Sequence, residues 1–507
     1  MMKNILLALH VLAFGSMPLL AQPIITQQST NQVVPIGSSA SVGITAIGEN
    51  LSYQWFKDGV RQISQTNSAI NVASFRFTNG GSYSVVVSNA NGLAISLPAL
   101  LCVANAPLKA WGNNWYGQLG NGTTIDSAVP VNVATNLVVS AAGYSHSLFV
   151  KADGTLWAMG DNYLGELGIG TNIYSPIPVN VASNVVAAAA GDQFSLFVKT
   201  DGTLWAMGKN TSGQLGNGIY NNTNLPVFVA SNVVAVAAGS SHALFVKADG
   251  KLWAMGGNVL GELGNGTNVD AYAPVNVASN VVAVAAGFNH SLFLTSDGTL
   301  WGMGANGSGQ LGIGTTSVTN LPVIVTSNVL AVAAGVGQSM FLRTDGTMWI
   351  MGVFGPDTNY VTVDPPACVA SNVVAVTAGR DICLYVMSDG TLWNLGNLGT
   401  NSPVQILGMT VASLGKNSVG EHSLAVAASL PPVLTTGNAV WTNGGQQLTI
   451  QLSGTPNYPY ILQTTINLTP PVNWQSILTN PADGNGNWSF TVTNLPAPAG
   501  YYRAVAQ

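Results

Sequence analysis

The stretch HSLFVKADGTLWAMG, His146–Gly160, decides the fold because it recurs. HALFVKADGKLWAMG begins at His242 and HSLFLTSDGTLWGMG at His290. In each copy two apolar runs flank an Asp-Gly pair, the pattern of a β-hairpin. The dipeptide predicts a two-residue turn whose central positions both take positive φ.

The glycines that close the LWAMG-type runs are Gly112, Gly160, Gly208, Gly256, Gly304, Gly352 and Gly396, spaced by 48 residues five times and then by 44. Those after the VVAVAA-type runs keep the same beat at Gly143, Gly191, Gly239, Gly287, Gly335 and Gly379, with Gly415 a looser seventh. Each unit holds four short runs rich in Val, Leu, Phe or Trp, as in LPVFVA, NVVAVAAG, HALFVKADG and KLWAMG. Four antiparallel strands per unit without helical period predict an all-β chain, a seven-bladed β-propeller over residues 107–429. There are seven xWxxG strands and seven HSLFV-like strands but six Asp-Gly turns. The missing turn belongs where the chain ends meet, so residues 108–112 are expected to pair with 422–427 and close the ring.

The motifs WGNNWYGQLGNGT, GDNYLGELGIGT, GKNTSGQLGNG, GGNVLGELGNGT and GANGSGQLGIGT, followed by AAGxxHSLF and DG, resemble regulator-of-chromosome-condensation (RCC1-like) repeats. The sixth unit replaces this motif with VFGPDTNYVTVDPPACVAS, and an irregular blade is expected there. Residues 23–104 resemble a bacterial immunoglobulin-like β-sandwich, with Trp55 in LSYQWFKDG and Tyr83 two residues before Val85 at tyrosine-corner spacing. Ile44 and Val85 stand where that family's disulfide would be. Residues 431–507 resemble the small C-terminal sandwich modules of secreted bacterial proteins. The expected architecture is therefore a propeller flanked by two small β-sandwich domains.

The start of the chain, MMKNILLALHVLAFGSMPLLAQP, reads as an export signal over residues 1–21, with Lys3 before the apolar run Ile5–Phe14 and Ala21 at the cleavage point. No later apolar run approaches membrane-spanning length. A secreted or cell-surface protein is expected, without a membrane span and monomeric. Charged residues make up only 7% of the chain, its net charge is -5, and its Lys and Arg are not clustered, which argues against nucleic acid. Of three cysteines, Cys368 and Cys383 lie in one repeat and could bridge in an oxidising compartment; the alternative is small buried thiols.

Chemistry has few candidates. His146, His242, His290 and His422 share a repeat position that holds Phe194, Gln338 and Ile382 elsewhere, which a metal shell would not tolerate. Glu166 and Glu262 alternate with Gln118, Gln214 and Gln310, so their charge is dispensable. Nucleophile-elbow, phosphate-loop and dinucleotide signatures are missing. No cofactor, no metal and no enzymatic activity are expected.

Topology places the ASN and Asp-Gly turns on one face of the disc and the AGxxH loops and long NxxGQLGxGT crossovers on the other. The second face varies and carries the ligand-face candidates Trp115, Tyr116, Tyr144, Tyr163, Tyr174, Asp192, Tyr220, Phe288, Tyr360, Arg380 and Asp381. The reading is a non-enzymatic binding or adhesion protein for an extracellular protein or polysaccharide. The family resemblance adds two alternatives: inhibition of an extracellular or periplasmic enzyme such as a β-lactamase, and guanine-nucleotide exchange on the GTPase Ran. A polysaccharide-cleaving enzyme would need paired carboxylates, for which the loops offer only Asp192 and Asp381.

Overall fold

The computed structural model describes residues 21–354, 361–380, 383–395, 403–417 and 419–429, and beyond these six strands between 439 and 506. The expected export signal falls outside the described residues apart from Ala21, and so do Tyr360 and Asp381. The described chain is all-β and contains no α-helix.

The repeat unit explains its own sheet. Phe194–Lys199 pairs on one side with Val185–Ala190 and on the other with Leu204–Gly208, which then pairs with Thr223–Ala230. Alternate side chains of these strands enter the space between neighbouring sheets, where Phe149, Phe197, Phe245, Phe293 and Phe341 are buried. Four of these phenyl rings stack on the tryptophan opposite them in register, while Trp205, opposite Phe197, meets Phe228 edge-on. Phe149 and Trp157 stack at 6.4 Å and 4°, and the Lys151 ammonium covers the indole at 4.3 Å. The sheet is out of phase with the sequence unit by one strand. A run such as LPVFVA is the outer strand of the preceding sheet, because the crossover loop folds back to pair it with LWAMG.

The Asp-Gly turn differs from the two-residue expectation. Lys199 N–H donates to the Thr203 carbonyl at 2.9 Å, and Gly202 N–H to the Lys199 carbonyl at 2.9 Å, so three residues lie in the loop. Gly202 has φ 76°, whereas Asp201 is not among the residues with positive φ. This is a type I turn followed by a left-handed glycine. The aspartate serves by its side chain, accepting from Thr203 N at 2.9 Å and Thr203 Oγ1 at 2.6 Å. In the repeats, residues other than glycine with positive φ stand between outer and next inner strand: Asn136, Asn184, Asn232, Asn280, Asn328 and Asn372, with φ from 59° to 62°.

The last junction lacks such an asparagine, and there Val404–Leu414 runs on as one long strand. It pairs first with Thr391–Leu395 and then with His422–Ser429, fusing two groups of strands into one seven-stranded sheet. Closure follows the expectation, with Leu108 opposite Val426 and Gly112 opposite His422. In the sixth unit Met348–Phe354 and Val361–Ala370 extend a ladder in place of the crossover motif.

No disulfide joins Cys368 to Cys383. Cys368 is exposed on the outer strand of one sheet and Cys383 is buried on the second strand of the next. Their closeness in sequence spans a sheet boundary.

Residues 24–103 form two sheets, Ile24–Gln28 with Ala40–Ile47 and Ala69–Val72, and a larger one in which Gln32–Val34 runs parallel to Ala99–Val103. Val42 rather than Ile44 takes the fully buried position facing Val85 and Trp55, and Ile44 packs at the margin of that core. These sheets rest on the turn face of the ring. Ile95 N–H donates to the Ala248 carbonyl at 2.9 Å, Asn105 N–H to Asn136 Oδ1 at 2.7 Å, and Lys57 Nζ to the Ala412 carbonyl at 3.1 Å. Phe56, Leu93 and Ile95 share a core with Val234 and Ala237. This unit buries apolar surface against the turn face of the ring, away from the crossover face. Past residue 438 the strands form two three-stranded sheets.

Candidate functional site

The crossover loops owe their shape to a buried asparagine. Asn162 accepts Leu167 N–H at 2.9 Å through Oδ1 and donates from Nδ2 to the carbonyls of Thr171, at 2.8 Å, and Ile173, at 3.1 Å. Asn114, Asn210 and Asn258 repeat this arrangement. One side chain thereby satisfies both limbs of a loop that lacks a ladder of its own. Two residues earlier in each loop a backbone N–H meets the Gln or Glu position: Leu164 N donates to Glu166 Oε2 at 2.9 Å, and Tyr116 N to Gln118 Oε1 at 3.0 Å. Only an acceptor oxygen is needed, which is why the two residue types alternate. Burial pushes the Glu166 carboxyl up to about 7.

Loops held from within can leave their tips apolar. In three of these loops the residue after the buried asparagine is Trp115, 70% exposed, Tyr163, 75% exposed, or Val259, 72% exposed, and in the loops of Asn210 and Asn306 it is Thr211 and Gly307. Beside it stands the residue whose carbonyl the asparagine holds, Ile125, Ile173 or Val269, each likewise exposed. Tyr116, Tyr174 and Tyr220 are exposed on the same loops, and Tyr220 packs on Tyr272 at 5.4 Å. The aliphatic members escaped the sequence reading because it sought aromatic and charged side chains; the recurrence of Ile125, Ile173 and Val269 eleven residues after the motif asparagine was the available signal.

Tyr144, Asp192, Phe288 and Arg380 form a separate group at the inner rim, not on the tips. Their backbones link neighbour to neighbour: Tyr144 N donates to the Gly191 carbonyl at 3.2 Å and Asp192 N to the Gly239 carbonyl at 3.2 Å. Tyr144, Asp192 and Phe288 are half-buried. Arg380 Nη1 donates to Tyr144 Oη at 3.1 Å and pairs with Glu421 at 3.0 Å. Burial raises the Asp192 carboxyl, opposed by Lys209, 3.9 Å away, and by Arg380.

The repeat histidines are buried and bonded across sheets. His146 Nε2 lies 2.9 Å from Ser195 Oγ, His242 Nε2 2.9 Å from Ser291, His290 Nε2 2.8 Å from Ser339, and His422 Nε2 2.6 Å from Ser147. Each of these serines donates to the carbonyl at the Gln/Glu position, so its hydroxyl must accept from the imidazole. Burial lowers these histidines to about 4 at His146 and His242 and about 3 at His290 and His422. Among the described residues no cluster of three or more His, Cys, Asp or Glu is placed to hold a metal ion.

Known structures share this architecture. Human WBSCR16 is 22% identical, with a TM-score of 0.57 over 64% of this chain and 100% of its own. Yeast RCC1 (Prp20) bound to Kap60 is 20% identical, with a TM-score of 0.57 over 65% of this chain and 90% of its own. Prp20p from Saccharomyces cerevisiae, described together with its binding to Gsp1p and histones, is 21% identical, with a TM-score of 0.56 over 65% and 92%. The family model of the RCC1-like domain matches residues 107–450, well over half of the chain, and the protein belongs to the RCC1-like β-propeller family.

Proposed function

We propose that the protein is a secreted, non-enzymatic binding protein that recognises an extracellular protein, or a polysaccharide, through the crossover-loop face of its propeller. The observation that carries this reading is the division of the two faces. The N-terminal sheets occupy the turn face, while the opposite face presents Trp115, Ile125, Tyr163 and Ile173 on loops stapled from inside. Apolar and aromatic tips on a rigid frame supply contact area at little ordering cost. The sparse charge of the chain suits recognition by shape and apolar contact more than steering by a field.

The same proposal takes the ring as seven blades, counting the fused sheet as two that share Val404–Leu414. It takes residues 23–104 as an immunoglobulin-like module and 431–507 as an accessory module. Support for the first comes from Tyr83, whose hydroxyl donates to the Asn79 carbonyl at 2.7 Å, the bond that defines a tyrosine corner. Inhibition of a secreted enzyme would be one form of this activity and would use the same tips.

Immobilised mature protein exposed to secreted proteins and glycans from its surroundings tests the proposal. Retention of a partner that is lost when the tips are truncated supports it. Retention that survives truncation refutes it.

A further inference from the structure

The innermost strands enclose a cavity of about 210 Å³. Its wall is valine and alanine from sheet after sheet, including Val186, Val234, Val284 and Val332, and toward the turn face it passes to Phe56 and Pro98 of the N-terminal sheets. One amine enters this apolar space. Lys416 follows Gly415 at the repeat position that elsewhere carries Tyr144, Asp192, Phe288 or Arg380, and it sits in register with Ala141. Arg380 turns to the rim, whereas Lys416 Nζ reaches across the ring to the Val236 carbonyl at 3.3 Å.

An ammonium has three hydrogen-bond donors, and this one meets a single neutral oxygen. Among the described residues no carboxylate is paired with it. Asp58, the other charged side chain of the wall, is already engaged by Lys57 at 2.8 Å and by Ser82 N–H at 2.8 Å. Lys416 is exposed to the cavity, and the surrounding wall desolvates its amine and lowers it below the ordinary lysine value, with Asp58 opposing. A cation among apolar walls is poorly compensated until an anion reaches it.

We infer that this central cavity binds a small carboxylate-headed apolar molecule, of the straight-chain fatty acid type, with its head on Lys416 Nζ and its chain along the Val/Ala wall. This site is independent of the crossover face, so either reading can fail without the other.

The test is calorimetric titration of the full-length mature protein with straight-chain fatty acids and with alcohols of the same length. The acid binds one to one, and the alcohol binds at least tenfold more weakly. Lys416→Met abolishes that preference. Val284→Phe, which keeps the amine but fills the cavity, removes acid binding. Should Lys416→Met fail to fold, the comparison of acid with alcohol and the Val284→Phe variant decide the matter. Equal affinity for acid and alcohol, unchanged acid binding in either variant, or no saturable binding by the unmodified protein overturns the inference.

Discussion

His146 and Ser195 lie in adjacent blades, and the 2.9 Å contact between Nε2 and Oγ joins them through a buried hydrogen bond. The pairing accounts for which residue stands where. Each histidine of the repeat faces a serine in the next blade, and Phe194, which replaces histidine, shares its core with Ala243 at the serine position. Ser195→Ala strands the imidazole N–H and the Glu166 carbonyl in a dry interface and is expected to cost about 1–3 kcal/mol. His146→Phe combined with Ser195→Ala copies the Phe194/Ala243 pair and is expected to recover most of that loss. Urea denaturation of the two single variants and the double variant measures the coupling, and strict additivity would refute the pairing.

The same burial gives the fold a pH dependence. The folded histidines titrate at about 3 to 4, below the ordinary value of 6.5, so the unfolded chain binds more protons between those limits. Stability is therefore complete above pH 6.5 and falls as pH drops toward 4, by up to about 1.4 kcal/mol per pH unit for each histidine. Glu166, raised to about 7, acts with the opposite sign over part of that range, as do Glu262 and Asp192, which burial also raises. Melting temperatures between pH 8 and 4 should decline, and replacing His146 and His290 with glutamine should flatten the decline.

Gly143 and Asn162 should be intolerant for different reasons. A Cβ on Gly143 would run into the His146 ring and come within 2.6 Å of the Gly191 carbonyl, so Gly143→Ala must displace a backbone and is expected to cost more than about 2 kcal/mol. Asn162→Ala removes three hydrogen bonds made by one fully buried side chain and is expected to cost about 3 kcal/mol. Hydrogen exchange separates them: the glycine variant loosens the inner strand, the asparagine variant the crossover at 163–174.

Much of the ring was legible because repetition exposes it. The beat of the glycines, the split hairpin at Leu108–Gly112 and the replaceable histidine all follow from aligning the chain with itself. What repetition hides is phase and conformation. Every copy of LPVFVA precedes its VVAVAA run, so the sequence order cannot say which sheet owns it. The Asp-Gly signal placed the turn but implied two residues where three lie in the loop, with positive φ at the glycine alone, and the left-handed asparagine of ASN, with φ near 59°, is revealed by no spacing. On the candidate face the reading found Trp115 and Tyr163 but merged them with Tyr144 and Arg380, because variability marks rim and tips alike. The packing of the N-terminal sheets onto the turn face is carried by ordinary apolar residues such as Leu93 and Ile95, and these look the same in any strand.

The central claim is that the crossover tips are the recognition surface. Its most direct measurement is the affinity of a captured partner for Trp115→Ala/Tyr163→Ala, compared with Phe228→Ala/Ile324→Ala on the exposed outer strands. Truncation of the tips should weaken binding by at least tenfold, about 1.4 kcal/mol, with no change in melting temperature, while the outer-strand pair binds as before. Full affinity in the tip variant, or its loss in the outer-strand variant, would contradict the account.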